Sequence, residues 1–138
     1  MGLRRFVSRM LGKKERRAAS LPEAEDRDYA LAEIAALDGS DPAKPLLIAI
    51  KGYVYDVTWG RDFYGPGGPY GMFAGKDCTR ALAKMSFDPA DFTGSLDGLD
   101  RDELDRLEEW IETFEGKYRR VGRLLGAAGE AGSPPTAR

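Results

Sequence analysis

Two short apolar runs, Leu46–Ile50 and Tyr53–Val57, are separated only by Lys51-Gly52. Runs rich in β-branched and aromatic residues favour strands, and a two-residue connection that contains glycine is typical of a hairpin. The pattern therefore predicts two antiparallel strands. They are expected to belong to a small sheet that serves as the floor of a site.

Apolar residues at helical spacing predict two short helices. Gly39 is expected to end the first helix, and Asp77 to cap the second, which ends at Phe87-Asp88-Pro89. The apolar positions of the first are Tyr29, Leu31, Ile34 and Leu37, and those of the second are Ala81, Leu82 and Met85.

A longer helix is predicted after Asp100, which forms a capping box with Glu103. The inward-facing residues of this helix are expected to be Leu104, Leu107, Ile111 and Phe114, with Trp110 at the border of the same face. Gly116 is expected to break the helix. The residues from Lys117 to Leu125 then form a final extended or turn segment that returns to the site.

The loop between the hairpin and the second helix has an unusual composition. It combines four glycines, two prolines and four aromatic residues within Phe63–Phe73, in the run FYGPGGPYGMF. A flexible linker has little use for four aromatic rings. The composition instead predicts a surface that holds a planar, mostly apolar ligand, with the phenol of Tyr64 or Tyr70 available to bind it.

The composition narrows the possible chemistry. The 138 residues contain no histidine and a single cysteine, Cys78. The absence of histidine excludes Ser-His-Asp and Cys-His catalytic sites and the paired axial histidines of an electron-carrying cytochrome b5. Any iron chemistry must therefore use oxygen or sulfur donors. With one cysteine and no visible secretory signal, a reducing, intracellular compartment is the simpler interpretation.

The chain divides into three parts with different character. Residues 1–26 are a basic N-terminal segment and linker, residues 27–125 a single domain, and residues 126–138 a Gly-, Ala- and Pro-rich tail expected to be disordered. Residues 1–17 carry seven Lys or Arg and one acid, whereas the rest of the chain carries 14 basic and 22 acidic residues. The acidic domain argues against binding to nucleic acid.

The basic segment has an amphipathic pattern. Leu3, Phe6, Val7, Met10 and Leu11 recur at helical spacing, with basic residues on the other faces. Four interpretations stay open: a helix on an anionic membrane surface, a mitochondrial targeting peptide, a docking segment for a partner, and a disordered basic tail. No apolar run approaches the ~20 residues needed to span a bilayer.

Several uncommon motifs resemble one family. They are Tyr55-Asp56-Val57-Thr58, Phe63-Tyr64-Gly65-Pro66, Pro69-Tyr70-Gly71, Phe73-Ala74-Gly75 followed by Asp77, and Lys117-Tyr118 with Val121-Gly122. In this order they resemble the membrane-associated progesterone receptor family of cytochrome b5-like haem/steroid-binding domains. The resemblance extends from about Tyr29 to Leu125.

The resemblance implies a fold and a site. The fold would be α+β, a cytochrome b5-like domain with a small sheet and several short helices. Tyr70 would be the axial ligand of a ferric haem b iron on a partly open face, and Tyr64, Lys117 and Tyr118 would form hydrogen bonds around the haem edge and the axial phenol. Lys117 would also offer its charge to a propionate.

The expected function is that of a haem-binding, and by resemblance steroid-binding, adaptor that is not an enzyme. The expected partners are haem, a steroid or lipid, a second copy of the chain in the haem-loaded form, or a membrane protein. Two alternatives keep the fold without iron: a lipid or steroid binder, and a structural subunit of a membrane complex. A peripheral membrane or mitochondrial location would follow from residues 1–17.

Overall fold

The structure is a computed structural model that describes residues 21–126. The predicted basic helix and the predicted tail beyond residue 126 lie outside the described residues. The strands are β1 (Tyr29–Ala30), β2 (Leu47–Ile50), β3 (Tyr53–Asp56) and β4 (Arg119–Leu125), arranged in the order β1-β4-β3-β2. The helices are α1 (Leu31–Ala35), α2 (Arg61–Tyr64), α3 (Thr79–Lys84) and α4 (Arg101–Lys117). The predicted α+β architecture is confirmed.

The hairpin prediction is also confirmed. Strands β2 and β3 are antiparallel, and Ile50 pairs with Tyr53 across the two-residue turn. Lys51 and Gly52 both have positive φ, at 51° and 82°, as the tight primed turns of hairpins require. Lysine rarely adopts this conformation, so the strand pairing on both sides holds it there.

The last strand closes the domain. Strand β4 runs antiparallel to β3 and parallel to β1, so it joins the first and last elements of the described chain. An irregularity in the ladder lies between Val54 and Tyr55. A Cβ atom at Gly122 would stand only 1.8 Å from the carbonyl oxygen of Arg27, so this crossing of two backbones requires glycine.

Both faces of the sheet are buried, which explains why Leu46–Ile50 is apolar throughout rather than alternating. Ile48 and Tyr55 face a core formed with α3 and α4, and Leu47 and Val54 face a second core formed with α1. The first core contains Leu107 and Phe114 of α4 together with Tyr64 and Phe73 of the loop of residues 63–73, called the Gly-Pro loop from here on. The candidate site therefore lies on the α3–α4 side of the sheet.

Four details of the sequence prediction are wrong for the short helices. The first is the end of α1, which lies at Ala35 and not at Gly39. Tyr29 lies in β1, and Leu31 begins α1 with 50% of its surface exposed, because α1 has five residues and turns only Ile34 into the core. Met85 is 60% exposed, because it lies beyond the last residue of α3 in a left-handed conformation with φ 53°. Helix α3 does bury Ala81 and Leu82 as predicted.

Helix α4 is longer than predicted. The capping box of Asp100 and Glu103 is confirmed, with both side chain-to-backbone hydrogen bonds present. Gly116 does not break the helix, which continues through Lys117. Glycine costs only about 1 kcal/mol relative to alanine in a helix, and burial of Leu107 and Phe114 outweighs that cost. Leu104 is partly exposed, and Ile111 packs at the edge of the core.

Within residues 21–126, none of the helices combines the length and the apolar content required to cross a membrane.

Candidate functional site

The Gly-Pro loop is held in a single shape by its own backbone. The amide of Tyr70 donates to the carbonyl of Phe63 at 2.9 Å, and the amide of Gly68 donates to that of Gly65 at 2.9 Å. A Cβ at Gly68 would lie 2.5 Å from the carbonyl oxygen of Phe63, so the loop closes only because glycine stands there. The glycines thus permit a compact loop and do not make it a linker.

Tyr64 lies at the centre of an aromatic cluster. It ends α2, and its ring centroid is 6.1 Å from that of Tyr70, 6.0 Å from Phe114 and 6.3 Å from Tyr118. These separations lie within the range at which aromatic rings attract one another beyond simple burial. The cluster connects the Gly-Pro loop, α4 and the start of β4 into one wall.

Tyr70 lies at the outer edge of this cluster. It is 38% exposed, and its ring centroid is 5.8 Å from that of Phe73 and 6.2 Å from that of Phe87. The ring is therefore fixed on two sides while part of it faces outward. This is the placement required of a phenol that contacts a ligand.

An open cavity lies beside Tyr70, with a volume of about 430 Å³ that includes its open mouth. Its lining residues come from four parts of the chain: the Gly-Pro loop, helix α3, the segment that follows α3, and helix α4. They are Tyr64, Tyr70, Phe73, Ala81, Leu82, Met85, Phe87 and Trp110. Among residues 21–126, no charged side chain lines the cavity, so it suits a flat apolar molecule whose polar edge points outward.

The phenols of Tyr64, Tyr70 and Tyr118 differ from those of Tyr29 and Tyr55 in their hydrogen bonding. Tyr55 donates its hydroxyl to Glu115 at 2.7 Å, and Tyr29 donates to the carbonyl of Glu25 at 2.8 Å. Among the residues that the structure describes, no protein group accepts from the hydroxyls of Tyr64, Tyr70 or Tyr118, and no fully buried side-chain polar atom is unpaired. These three hydroxyls are therefore available to a ligand or to solvent.

Burial keeps two of these phenols protonated. It raises the pKa of Tyr64 well above its usual range, and it raises the pKa of Tyr118 to about 12. Both are neutral near pH 7 and can donate a hydrogen bond. Burial also lowers the pKa of Lys117, whose Nζ lies 5.9 Å from the centroid of the Tyr118 ring.

The four predicted site residues occupy different layers. Tyr64 and Tyr70 line the cavity directly. Tyr118 lies behind Tyr64, with its hydroxyl 2.6 Å from the position that a Cβ of Gly60 would take. Lys117 is beside Tyr118 and does not line this cavity. The ligand roles of all four stay predictions.

Two residues that line the cavity, Phe87 and Trp110, were not predicted to be site residues. The sequence pattern places Phe87 only at the end of a helix, and Trp110 only at the border of a helix face. Both line the cavity, with Phe87 packed 5.8 Å from Phe73 and Trp110 packed 6.4 Å from Phe114. The available signal for Phe87 is a large aromatic residue in a polar segment next to Asp-Pro.

The environment of Cys78 indicates a structural role and not a reactive thiol. It is fully buried, and its Sγ donates to the carbonyl of Phe73 at 3.2 Å. Burial raises the pKa of the thiol, which disfavours the nucleophilic thiolate. Cys78 therefore fastens the Gly-Pro loop to the start of α3.

The donor chemistry of the site fits a haem held by a phenol. Within residues 21–126, no three His, Cys, Asp or Glu side chains are grouped to hold a bare metal ion. A macrocycle supplies four of the iron's ligands itself, so the protein needs to add only one donor, and Tyr70 presents an oxygen at the mouth of an apolar cavity. The Tyr64 ring lies beside it, at 6.1 Å between ring centroids.

Comparison with known families agrees with this architecture. Residues 30–124 match the family described as the Cytochrome b5-like Heme/Steroid binding domain. The chain belongs to that family, and the predicted resemblance is confirmed.

Relatives within the family define its branch. The chain is 58% identical over 105 residues to Membrane steroid-binding protein 1 of Oryza sativa subsp. japonica, covering 75% of this chain and 45% of the relative. It is 42% identical over 115 residues to human Membrane-associated progesterone receptor component 2, covering 81% of this chain and 51% of the relative. The chain thus matches about half the length of these relatives.

A solved structure shows the same fold. A hypothetical protein from Arabidopsis thaliana, described as having a cytochrome b5 like fold, is 44% identical and superimposes with a TM-score of 0.67. The comparison covers 75% of this chain and 95% of that one. The matched part of the chain is therefore a whole domain of this type.

Proposed function

We propose that this chain binds ferric haem b through the phenolate of Tyr70 and serves as a binding or adaptor protein. The observation that carries the proposal is the position of Tyr70: it is 38% exposed, its hydroxyl has no partner among the described residues, and it stands at the mouth of an apolar cavity. A phenolate is a hard anionic donor that favours ferric iron. The loaded protein is expected to be ferric, high-spin and hard to reduce.

The neighbouring residues have supporting roles in this proposal. Tyr64 stays protonated because burial raises its pKa, so it could donate a hydrogen bond towards the ligand or the Tyr70 oxygen. Tyr118 and Lys117 form the layer behind it, where the cation of Lys117 is suited to attract a propionate. The apolar rings of Phe73 and Trp110 cover the flat face of the ligand.

The substitution Tyr70→Phe tests the proposal most directly. It keeps the ring packing against Phe73 and removes only the oxygen, so haemin affinity is expected to fall by about 100-fold or more, since even outer-shell partners of a metal are worth 10- to 100-fold. Titration of the purified protein with haemin, followed at the Soret band, measures this. Tyr53→Phe is the matched control, because Tyr53 lies outside the cavity. Equal affinity and spectrum for Tyr70→Phe and the wild type would reject Tyr70 as the ligand.

A second candidate is binding of a steroid without iron. It is favoured by the cavity lining, to which the described part of the chain contributes only uncharged side chains, and by the names of the relatives, which describe steroid-binding proteins. Steroid binding requires apolar contact and does not require the Tyr70 oxygen as a metal ligand. Progesterone should then bind Tyr70→Phe nearly as well as the wild type and lose affinity in Trp110→Ala, as measured by calorimetry.

We also propose that residues 1–17 attach the protein to an anionic membrane surface. The segment lies outside the described residues, and the support is its sequence pattern of seven basic residues with an apolar stripe. Co-sedimentation with anionic vesicles is expected to weaken as salt rises and to be lost when residues 1–17 are removed. Equal vesicle binding by the truncated chain would contradict this proposal.

A further inference from the structure

Helix α3 ends in a reversal that directs the next residues to the cavity. Met85 follows α3 with φ 53° and ψ 50°, a left-handed conformation that non-glycine residues rarely adopt. The amide of Ser86 then donates to the carbonyl of Ala81 at 2.9 Å, which fixes the direction of the exit. The residue carried to the cavity by this turn is Phe87.

Phe87 is 53% exposed, more than any other large aromatic residue that the structure describes. Its ring centroid lies 6.2 Å from that of Tyr70 and 5.8 Å from that of Phe73. Leaving half of such a ring in water gives up apolar burial. A flat apolar molecule bound at Tyr70 would cover the exposed part.

The loop of residues 86–97 is anchored on both sides of Phe87. The Ser86 hydroxyl donates to Asp91 at 2.6 Å, and the Asp88 carboxylate accepts from the amide of Ala90 at 2.9 Å. These short-range bonds make a compact turn around Phe87.

Arg80 of α3 ties this loop to the helix. Its Nε lies 3.4 Å from Oδ1 of Asp91, and both side chains are mostly buried. Its Nη1 donates to the carbonyls of Ser95 and Asp97 at 3.1 and 2.6 Å. One guanidinium thus holds three points of the loop, a geometry that lysine cannot reproduce.

We propose that Phe87 is a ligand-contacting residue that retains the flat ligand bound at Tyr70, and that Arg80 positions it. This inference rests on the proposed function, because it concerns the same cavity. The expected ligands are planar, polycyclic and largely apolar molecules, and haem is the one used in the test. The role of Phe87 is to stack on the ligand, and that of Arg80 is to keep the 86–97 loop in the position where stacking is possible.

The proposal is tested by measuring the dissociation rate of bound haemin. An excess of a second haem-binding protein captures the haemin that is released. Phe87→Ala is expected to release haemin about 2- to 10-fold faster than the wild type, the range that corresponds to one aromatic contact. Phe87→Leu keeps an apolar side chain without a flat ring and should also release faster. Leu31→Ala, which removes an equally exposed apolar side chain away from the cavity, is the control and should leave the rate unchanged.

A double-mutant cycle separates positioning from general stability. If Arg80 acts through Phe87, Arg80→Gln accelerates release in the wild-type background and has little further effect in the Phe87→Ala background. Melting temperatures of the haem-free variants show whether each one folds, and Asp91→Asn replaces Arg80→Gln if that variant does not.

The outcomes distinguish this inference from the proposed function. A wild-type protein that binds neither haemin nor progesterone would overturn both. A wild type that binds haemin, with Phe87→Ala and Phe87→Leu releasing it at the wild-type rate, would overturn the role of Phe87 alone. Additive effects of Arg80→Gln and Phe87→Ala would overturn the positioning role of Arg80.

Discussion

The carboxylate of Asp77 accepts two hydrogen bonds from Thr79, one from the hydroxyl at 2.6 Å and one from the backbone amide at 3.2 Å. The Thr79 hydroxyl in turn accepts from the amide of Lys51 at 2.7 Å, just beyond the end of β2. The start of α3 is thereby fastened to the floor of the site, although the two segments are 28 residues apart.

The same arrangement occurs at the other end of β2. There the hydroxyl of Thr58 donates to the carboxylate of Asp56 and accepts from the amide of Leu46 at 3.1 Å. Two Asp-x-Thr segments therefore hold the two ends of one buried strand. All of the polar groups involved are buried or partly buried, so their hydrogen bonds cannot be replaced by water without rearrangement.

Thr79→Val is expected to lower the free energy of unfolding by about 1–3 kcal/mol, because it leaves the Lys51 amide without its acceptor. Chemical denaturation measures the change. Thr113→Val is the control, since the Thr113 hydroxyl bonds only within the exposed side of α4 and its loss should cost much less. Equal losses in the two variants would show that the Thr79 hydroxyl has no special role.

Asp77 is expected to make stability depend on pH. Burial raises the pKa of its carboxyl above the ordinary 3.8, although the hydrogen bonds from Thr79 oppose the shift. The folded state therefore holds this proton more tightly than the unfolded chain. The stabilisation is fully present below the unfolded pKa and is lost as pH rises through the folded pKa.

The variant Asp77→Asn isolates this contribution, since asparagine keeps an acceptor for Thr79 and cannot ionise. The unfolding free energy of the wild type minus that of Asp77→Asn should fall as pH is raised from 3.5 to 7. A difference that stays constant or rises over this range would contradict the pKa shift.

Gly60→Ala is expected to disturb the layer behind the cavity. A Cβ at Gly60 would lie 2.6 Å from the hydroxyl oxygen of Tyr118 and 3.2 Å from the adjoining ring carbon, so the ring must move. Overpacking of this kind costs about 1–3 kcal/mol. The double variant Gly60→Ala/Tyr118→Phe removes the closest atom and should recover part of the loss, which denaturation of the four proteins would measure.

Gly116→Ala is expected to stabilise the protein by about 0.5–1 kcal/mol, because Gly116 lies inside α4 and a Cβ there meets nothing within 4 Å. Haemin affinity should not change, since Gly116 does not line the cavity. A lower melting temperature would show that the last turn of α4 needs the freedom of glycine.

Local patterns in the sequence were sufficient to predict the structural elements that are determined by neighbouring residues. The Lys51-Gly52 turn, the capping box of Asp100 and Glu103, and the compact loop around Tyr70 each depend on residues within a few positions of one another. The turn depends on a glycine that can adopt positive φ, and the capping box depends on hydrogen bonds between side chains and backbone. The loop depends on a tight turn that places an aromatic ring beside it. All three can be read from the sequence.

The absence of histidine limits the possible iron donors to oxygen and sulfur on composition alone, and the family resemblance then implies Tyr70. The family resemblance implies Tyr64, Lys117 and Tyr118 as its neighbours. The structure brings Tyr64 and Tyr70 to the cavity and places Tyr118 one layer behind.

Only the tertiary structure decided which side chains close the cavity and which helix positions are buried. Phe87 and Trp110 are 23 positions apart in the sequence, yet they line one cavity because α3 and α4 pack on the same face of the sheet. Met85 has the helical spacing of a core residue but is 60% exposed and lines the cavity, because the chain reverses there. Helical spacing tells which residues share a face, whereas burial depends on whether another part of the chain covers that face, and such coverage comes from residues distant in sequence.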